Sequence, residues 1–335
     1  MSGLKPLLAR LADGATLSAA EAAEAFALVM RGEASPAQTA ALLSMMRVRG
    51  ETIDEIAGAA SAMRGAMLAV EAPPHAIDCC GTGGDGAHTL NVSTAVAFVL
   101  AGGGVAVAKH GNRAITSKSG AADVLSALGV PVELSPADAA AALAADHFAF
   151  LFAPKFHPAM RHVGPVRQEL GFRTLFNLLG PLANPAGVRR QLIGAPTVEA
   201  ARKIAGVLAL LGVERAWVAC GHGGLDEIGP SGPSTVFIVE DGGIAEHVVT
   251  PEDAGVARHR VEAIRGGDAA ANASALSALL DGAPGAYRDT VILNAAAAFV
   301  VAGKAATLID GAALARRAID SGAAKAALDA ARRRA

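Results

Sequence analysis

The segment from Asp78 to Asp85, DCCGTGGD, combines a short apolar run with three glycines and a terminal acid. Glycines let backbone N–H groups approach a phosphate closely, because no Cβ atom stands in the way. The sequence NVST at Asn91–Thr94 predicts a helix start, whose positive dipole end favours the same anion. The spacing is neither the dinucleotide fingerprint nor a Walker loop, so the segment alone is equally consistent with a tight strand-to-helix turn.

A second candidate anion loop, KHGNRAITSKSG, occupies Lys109–Gly120 and supplies lysine, serine and backbone N–H groups. Two adjacent carboxylates, Asp226 and Glu227, lie further on in the sequence GLDEI. Such oxygen ligands suit Mg²⁺, which often bridges substrate phosphates. Each feature has an ordinary alternative, a solvated polar loop or a solvated acidic pair. Together with the first loop, they predict a substrate with more than one phosphate, held with a divalent cation.

The elements that must position these loops are predicted after residue 75, where short apolar strands alternate with helices. The predicted strands are Ala76–Cys80, Val105–Ala108, Val132–Leu134, Phe148–Phe152, Gln191–Ile193 and Trp217–Cys220. Near-continuous apolar strands of this kind predict an α/β fold, with a mostly parallel central sheet flanked by helices. Thr235–Val239 and Ala245–Val249 predict an antiparallel hairpin at one edge. Ligands bind beyond the carboxyl ends of parallel strands, so the loops and the acid pair are expected to face one crevice.

Residues 1–72 predict a small N-terminal all-helical domain. Three capping boxes mark helix starts, and they are Ser18 with Glu21, Ser35 with Gln38, and Thr52 with Glu55. So small a bundle has limited core of its own, and its apolar faces are expected to form a homodimer interface. Val70–His75 indicates a linker to an α/β domain over residues 76–335. Helices from about 165 to 185 are expected to join the helical domain.

The overall composition excludes several classes of protein. The chain has 335 residues, of which 52% are hydrophobic and 18% charged, enough for a sizeable core. A formal net charge of -2 gives no electrostatic footprint for nucleic acid. Ala95–Ala108 is too short to span a bilayer, and Met1–Arg10 lacks the apolar segment of a signal peptide. A cytoplasmic location without membrane contact is therefore expected. The three cysteines are expected to be buried as small hydrophobic side chains.

Two arginines between the second loop and the acid pair are candidates for recognising a carboxylate. Arg167 and Arg173 follow APKFHPAM in the stretch GPVRQELGFRTLFNLLGPLANP. A guanidinium matches a carboxylate with two parallel hydrogen bonds. A structural salt bridge is the alternative for both residues, and we expect it for Arg173.

Taken together, these segments resemble the anthranilate phosphoribosyltransferase family. The matching motifs, in chain order, are GTGGDG, NVST, KHGNRA, SKSG-ADVL, HPAM-HV-PVR-ELG-RT-FNLLGPL-NP and GLDEI, and they span essentially the whole chain. The resemblance implies transfer of the phosphoribosyl group of 5-phosphoribosyl 1-pyrophosphate to the amine of anthranilate, with Mg²⁺, in tryptophan biosynthesis. Two alternatives stay open, a pyrimidine nucleoside phosphorylase-like enzyme of the same architecture and a non-catalytic relative that binds nucleic acid.

The resemblance also implies roles for individual residues. Phosphoribosyl pyrophosphate would be bound by Gly81, Gly84, Asp85, Thr89, Asn91, Val92, Ser93, Thr94, Lys109, His110, Gly111, Asn112, Arg113, Ala114, Ile115, Thr116, Ser117 and Ala121. Anthranilate would be bound by Gly81, Asn112 and Arg167, and Mg²⁺ by Ser93, Asp226 and Glu227. His110 and His157 would line the anthranilate entry with Gly180–Pro181, and either could take up the amine proton. Thr116 and Ala121 depart from the serine usual in the family, and Ala121 lacks a hydroxyl for phosphate.

Overall fold

The computed structural model describes residues 3–114 and 118–334. Within them, a single seven-stranded sheet is formed by β1 (Ile77–Gly81), β2 (Val107–Gly111), β3 (Phe148–Phe152), β4 (Arg190–Gly194), β5 (Arg215–Cys220), β6 (Ser234–Glu240) and β7 (Gly243–Val249). The strand order is β3-β2-β1-β4-β5-β6-β7. The first five strands pair in parallel, and β6 and β7 are antiparallel to their neighbours. The predicted mostly parallel sheet with an antiparallel edge hairpin is confirmed.

One predicted strand is wrong. Residues 132–134 are irregular and lie outside the sheet. Val130 and Val132 are buried while Pro131 and Glu133 are more exposed, which imitates the alternation of a strand. Pro131 has no backbone N–H to donate to a neighbouring strand, which disfavours strand pairing here. The segment instead connects the helices Ala121–Ala127 and Pro136–Asp146.

The helices cover both faces of the sheet. They are α1 (Lys5–Ala12), α2 (Ala19–Met30), α3 (Pro36–Arg49), α4 (Ile53–Gly65), α5 (Val92–Gly102), α6 (Ala121–Ala127), α7 (Pro136–Asp146), α8 (Ala153–Phe156), α9 (Gly164–Leu170), α10 (Phe176–Leu182), α11 (Val198–Leu210), α12 (Ala269–Leu280), α13 (Ala286–Val301), α14 (Leu308–Asp320) and α15 (Ala323–Arg332). Short 3-10 helices occupy Pro158–His162, Pro251–Ala254 and Val261–Ile264. The described part of the chain contains no helix with the length and apolarity needed to cross a bilayer.

Successive side chains of the parallel strands enter different cores. In β4, Leu192 packs with α5 and the C-terminal helices, whereas Ile193 packs with the N-terminal helices and α11. This alternation follows from the two-residue repeat of a strand. The parallel strands are therefore buried on both faces, which explains why they are almost continuously apolar, whereas the edge strand β7 is largely exposed.

The N-terminal helices begin as the sequence predicts. All three capping boxes are formed at α2, α3 and α4. Glu55 is fully buried, and its carboxylate also accepts from Leu17 N at 2.9 Å and pairs with Arg49. Later segments pack on this bundle, because the Phe176 ring of α10 meets Phe26 of α2 edge-to-face at 5.8 Å. Arg64 Nε also donates to the carbonyl of Leu182 at 2.6 Å.

Candidate functional site

The site lies at the carboxyl ends of β1 and β4. The chain leaves β1 towards β2 and β3 on one side and returns to β4 on the other, so these neighbouring strands form a topological switch point. Gly81 and Gly194 end the two strands as a register pair. A Cβ atom at either glycine would overlap Asp226. Glycine at both strand ends therefore makes room for the loop that carries the acid pair.

The backbone of the first loop is bonded to the Asp226 carboxylate and the Arg173 guanidinium. Gly83 and Gly84 have φ angles of +70° and +86°, a region that favours glycine. Gly83 N donates to Asp226 Oδ2 at 2.7 Å, and Arg173 donates to Gly83 O at 3.2 Å while its guanidinium lies against Gly84. Within the described residues Arg173 makes no ion pair within 4.0 Å, so the salt bridge expected for it is not formed. Asp85 turns the loop by accepting from Ala87 N at 3.0 Å.

Three carboxylates converge behind this loop. Asp226 N donates to Asp85 Oδ2 at 3.4 Å, and Ser93 N at the start of α5 donates to Glu227 Oε1 at 3.1 Å. Burial, reinforced by the nearby Asp85 charge, raises the pKa of Asp226. Burial likewise raises the pKa of Glu227 to about 8, with the Asp226 charge adding to the rise. Burial and the neighbouring acid thus disfavour the charged forms of both Asp226 and Glu227.

The buried ammonium of Lys109 partly offsets the negative charge of Glu227. Its side chain is only 1% exposed. The ammonium donates to Cys79 O at 2.7 Å and to Ser93 Oγ at 3.2 Å. Its charge opposes the rise in the pKa values of both Asp78 and Glu227. Lys109 therefore lies beside the expected cation ligands and orients one of them, the Ser93 hydroxyl.

The donor set fits a hard divalent cation. Asp226, Glu227 and the Ser93 hydroxyl supply oxygen atoms, and burial raises the pKa of both carboxyls, so a bound cation would favour their charged forms. In residues 3–114 and 118–334, no cluster of three or more His, Cys, Asp or Glu side chains is arranged to hold a metal by itself. Mg²⁺ usually takes only one or two protein carboxylates and completes its shell with substrate phosphates and water.

The segment Asn91–Thr94 presents mixed surfaces. Val92 and Thr94 are buried, and Thr94 Oγ1 has no hydrogen-bond partner among the described residues. Ser93 faces Glu227 and Lys109, as given above. The backbone of Thr89, just upstream, pairs with Arg265 in an isolated antiparallel bridge. Ser93 thus lies beside the acid pair, whereas Val92 anchors the helix in the hydrophobic core.

The second loop is shaped by Asp123 at the start of α6. Its carboxylate accepts from Ala114 N at 2.9 Å and Gly120 N at 3.0 Å, and it pairs with Arg113 at 3.1 Å. Arg113 also lies 5.6 Å from the Phe152 ring centroid, so its guanidinium is engaged within the protein. Ala121 is the first residue of α6. The predicted phosphate ligands Ile115, Thr116 and Ser117 lie outside the described residues.

A cavity of about 560 Å³, here called the Arg167 cavity, opens next to the first loop. Its wall combines Gly81, Thr82, His110, Gly111, Asn112, His157, Arg167, Phe176, Gly180 and Pro181. Arg167 lies over the Phe176 ring at 5.4 Å, and burial together with the Arg173 charge lowers its pKa. The described residues place no carboxylate within 4.0 Å of Arg167. A desolvated guanidinium facing a cavity without an acidic partner suits a carboxylate ligand.

His110 and His157 form a buried pair on the same wall. His110 Nδ1 donates to Gly180 O at 2.9 Å, because a carbonyl can only accept. Its Nε2 then accepts from His157 Nε2 at 3.2 Å. Burial lowers the pKa of His110 to about 3, helped by the His157 charge, and lowers that of His157 to about 4, only partly opposed by the Ala183 backbone. Both rings are neutral near pH 7.

The sequence analysis missed several residues that hold the site together. Asn294 of α13 is 1% exposed and clamps the residue after Glu227, accepting from Ile228 N at 2.9 Å and donating to Ile228 O at 3.0 Å. Asn184 donates to the buried Asp78 at 2.8 Å and to Ala108 O at 2.8 Å, joining β1 to β2. The only sequence signal was a lone amide in an apolar helix or loop, which does not reveal its partner.

The two adjacent loop glycines offer a matched test of this geometry. A Cβ at Gly83 meets no atom within 4 Å, whereas a Cβ at Gly84 would overlap Arg173. Both Gly83→Val and Gly84→Val strain a positive φ, so both should weaken binding of a phosphorylated ligand at the loop. Gly84→Val should do so more, because it also displaces Arg173. Titration calorimetry with phosphoribosyl pyrophosphate and Mg²⁺ measures both affinities, and equal, unchanged values would show that the loop is only a turn.

Comparison with known proteins agrees with the architecture. A model of the glycosyl transferase family, helical bundle domain, matches residues 5–67, and one of its a/b domain matches residues 73–325. Anthranilate phosphoribosyltransferase of Azorhizobium caulinodans is 54% identical over 329 residues, which cover 98% of this chain and 96% of that protein.

Solved structures give the same result. That of anthranilate phosphoribosyltransferase from Thermus thermophilus superposes with a TM-score of 0.93 at 43% identity, covering 98% of both chains. The Saccharomyces cerevisiae enzyme in complex with phosphoribosyl pyrophosphate and Mg has a TM-score of 0.90 at 28% identity, covering 99% of this chain and 97% of that one. The family predicted from the motifs is thus confirmed, and the chain belongs to the anthranilate phosphoribosyltransferase family.

Proposed function

We propose that this chain transfers the phosphoribosyl group of 5-phosphoribosyl 1-pyrophosphate to the amine of anthranilate, with release of pyrophosphate. One observation carries the proposal. The Arg167 cavity shares Gly81 and Thr82 with the glycine loop, so a site suited to a carboxylate opens directly onto a site suited to phosphates and a cation. Two substrates held in such contact can react without prior diffusion.

The donor would lie against Gly81–Asp85 and Asn91–Thr94, with the second loop from Lys109 to Ser117 completing its site. Bound Mg²⁺ would neutralise charge on the leaving pyrophosphate, and Ser93, Asp226 and Glu227 would hold it. The positive end of the α5 dipole, and glycine-loop N–H groups other than that of Gly83, would stabilise charge that develops as the anomeric carbon–oxygen bond breaks. Lys109 supports this from below by orienting Ser93 Oγ.

The acceptor would lie in the Arg167 cavity. Arg167 would pair with the anthranilate carboxylate and Asn112 would orient the ring and amine. An aromatic amine is unprotonated near neutral pH, so attack needs no strong base. Both histidines are neutral there. Because both ring nitrogens of His110 are engaged, His157 is the one that would take up the amine proton after attack, through Nδ1. The pKa of His157, lowered by burial, means that this residue would pass the proton on and not retain it.

The comparisons favour this reaction over the nucleoside phosphorylase alternative. Mixing the protein with anthranilate, phosphoribosyl pyrophosphate and Mg²⁺ should consume anthranilate fluorescence, with equimolar pyrophosphate released. Phosphate-dependent cleavage of thymidine or uridine, measured in parallel, is expected to be absent. Cleavage without anthranilate consumption would overturn the proposal, and DNA retention without turnover would support the binding-protein alternative.

We further propose that the chain is a cytoplasmic homodimer, and that residues 1–72 with α9 and α10 form one helical domain against an α/β domain. Packing of Phe176 on Phe26 supports that grouping. At the end of α3, Val48 is 89% exposed, as an apolar residue at a subunit interface would be in an isolated chain.

Val48→Glu is expected to convert the dimer to monomers, because a charge would be buried at the interface. Light scattering with chromatography measures the mass. Val248→Glu is the matched control, since Val248 on the edge strand β7 is 64% exposed but lies outside the helical domain. A monomeric unmodified protein would contradict the proposed assembly directly.

A further inference from the structure

Asn91 accepts hydrogen bonds from two C-terminal helices, α12 and α13. Asn272 of α12 is 2% exposed, and its Nδ2 donates to Asn91 Oδ1 at 2.9 Å. Tyr287 at the start of α13 donates its hydroxyl to Asn91 O at 3.0 Å. Asn91 occupies the N-cap position of α5 but makes no side-chain cap hydrogen bond there. Its side chain is therefore committed to Asn272 and not to the helix.

The contacts of Asn272 determine which way each amide points. Gly267 N, a backbone group that can only donate, bonds Asn272 Oδ1 at 2.7 Å. The NH₂ group of Asn272 must then face Asn91, and Asn91 must accept this hydrogen bond through its side-chain oxygen. The Asn91 NH₂ group is left on the other side of its amide, away from Asn272.

The surrounding backbone holds Gly267, Asn272 and Asn91 in this arrangement. Thr89 pairs with Arg265, and Leu90 N donates to Ile264 O at 2.8 Å, so residues 264–267 run alongside residues 88–90. A Cβ at Gly266 would lie 2.8 Å from Thr89 O and 3.0 Å from Asn272 Oδ1, so glycine permits this close approach. The relay Gly267–Asn272–Asn91 is thus a packed, directional chain of donors and acceptors.

We propose that Asn272 is a positioning residue of the donor site, which fixes the polarity of Asn91 so that its Nδ2 donates to an oxygen of phosphoribosyl pyrophosphate. This rests on the proposed function, in that it takes the donor to lie against Asn91–Thr94. Asn272 itself does not touch the donor. It acts by preventing the Asn91 amide from turning its oxygen towards a phosphate.

The decisive variant is Asn272→Asp, which keeps size and shape but replaces the NH₂ group with a carboxylate oxygen. Gly267 N keeps its acceptor, while Asn91 must rotate its NH₂ group towards the new carboxylate and present oxygen to the donor. Because a hydrogen bond to a charged group becomes a repulsion, the donor dissociation constant should rise roughly tenfold or more. Titration calorimetry with phosphoribosyl pyrophosphate and Mg²⁺ measures it, and the Michaelis constant for anthranilate should stay within roughly twofold.

Two controls separate polarity from simple loss of packing. Tyr287→Phe removes a bond to the Asn91 backbone and leaves the amide relay, so it should change donor affinity little. Thr290→Val removes a buried hydrogen bond within α13, from Thr290 Oγ1 to Ala286 O at 2.7 Å, and should lower only thermal stability. Donor affinity that falls equally in all three variants would reduce Asn272 to a structural residue and overturn the proposal.

Asn91→Asp tests the same polarity at a half-buried position, and serves if Asn272→Asp does not fold. It keeps an oxygen towards Asn272 and places a second one where Nδ2 was, so donor affinity should again fall roughly tenfold. Unchanged affinity would overturn the inference. Wild-type protein that binds donor but does not consume anthranilate would refute the proposed reaction alone, whereas wild-type protein that binds no donor would refute both.

Discussion

Replacing Asp226 and Glu227 together with alanine is expected to abolish phosphoribosyl transfer and leave the fold intact. The pair supplies the carboxylate oxygens at the proposed cation site, and no other described residues form a cluster able to replace them. Asp226 also accepts from Gly83 N, so the variant loosens the glycine loop. Anthranilate consumption, followed by fluorescence at saturating donor and Mg²⁺, measures the loss. A variant that retains normal turnover would sink the assignment.

The same substitution should not destabilise the ligand-free protein at neutral pH. The pKa values of both carboxyls are raised above their unfolded values. Such groups favour the folded state only while protonated, so their contribution is present below the unfolded pKa and is lost as pH rises through the folded one. Thermal unfolding of the unmodified protein should therefore show stability falling between about pH 4 and pH 8 from this source, and the double variant should fall less.

An exposed acid pair elsewhere provides the matched control. Glu252 and Asp253 are also adjacent, and both lie at the surface in a short 3-10 helix. Their replacement by alanine removes the same formal charge without touching the crevice. It should leave turnover near that of the unmodified protein. Equal losses in the two double variants would point to a general charge effect.

Arg167→Ala is expected to raise the Michaelis constant for anthranilate at least tenfold, with a much smaller effect on that for phosphoribosyl pyrophosphate. A charge-assisted hydrogen bond contributes about 1.5–3 kcal/mol, which corresponds to roughly 10- to 150-fold in affinity. Arg167→Lys should recover little of this, because an ammonium cannot form the two parallel bonds of a guanidinium. Initial rates with each substrate varied in turn separate the two constants.

Arg161 serves as the control for positive charge at the Arg167 cavity. It lies on the same wall but is exposed, and its Nε bonds His162 at 3.2 Å. Arg161→Ala should change the Michaelis constant for anthranilate much less than Arg167→Ala. A donor-specific defect in Arg167→Ala would move this residue to the phosphate side and leave Asn112 as the remaining acceptor contact.

The fold followed from patterns that are local in sequence. Capping boxes identified the helix starts at Ser18, Ser35 and Thr52, and apolar strands alternating with helices gave the parallel sheet. The error at Val132–Leu134 arose because alternating burial is shared by a strand and by an irregular segment that packs every second side chain. Periodicity alone does not distinguish them.

The candidate site was only partly predictable, because many of its determinants join residues that are distant in sequence. The glycine loop and the acid pair each have a recognisable local composition. That Asp85 joins Asp226 depends on contacts between residues about 140 positions apart. The same holds for Asn272 and Asn294, whose amides find their partners across the fold. Arg173 was expected in a salt bridge, yet the fold gives it a backbone carbonyl instead.

The glycine pair at the ends of β1 and β4 changes how tolerance to substitution is interpreted in this protein. Gly81 and Gly194 carry no functional group, yet any side chain at either position would push Asp226 out of place. In a survey of all single substitutions, both positions would therefore be as intolerant as residues that contact the reacting atoms. Such intolerance would measure the space reserved for a carboxylate on another loop. Two residues without side chains thus belong to the active-site volume.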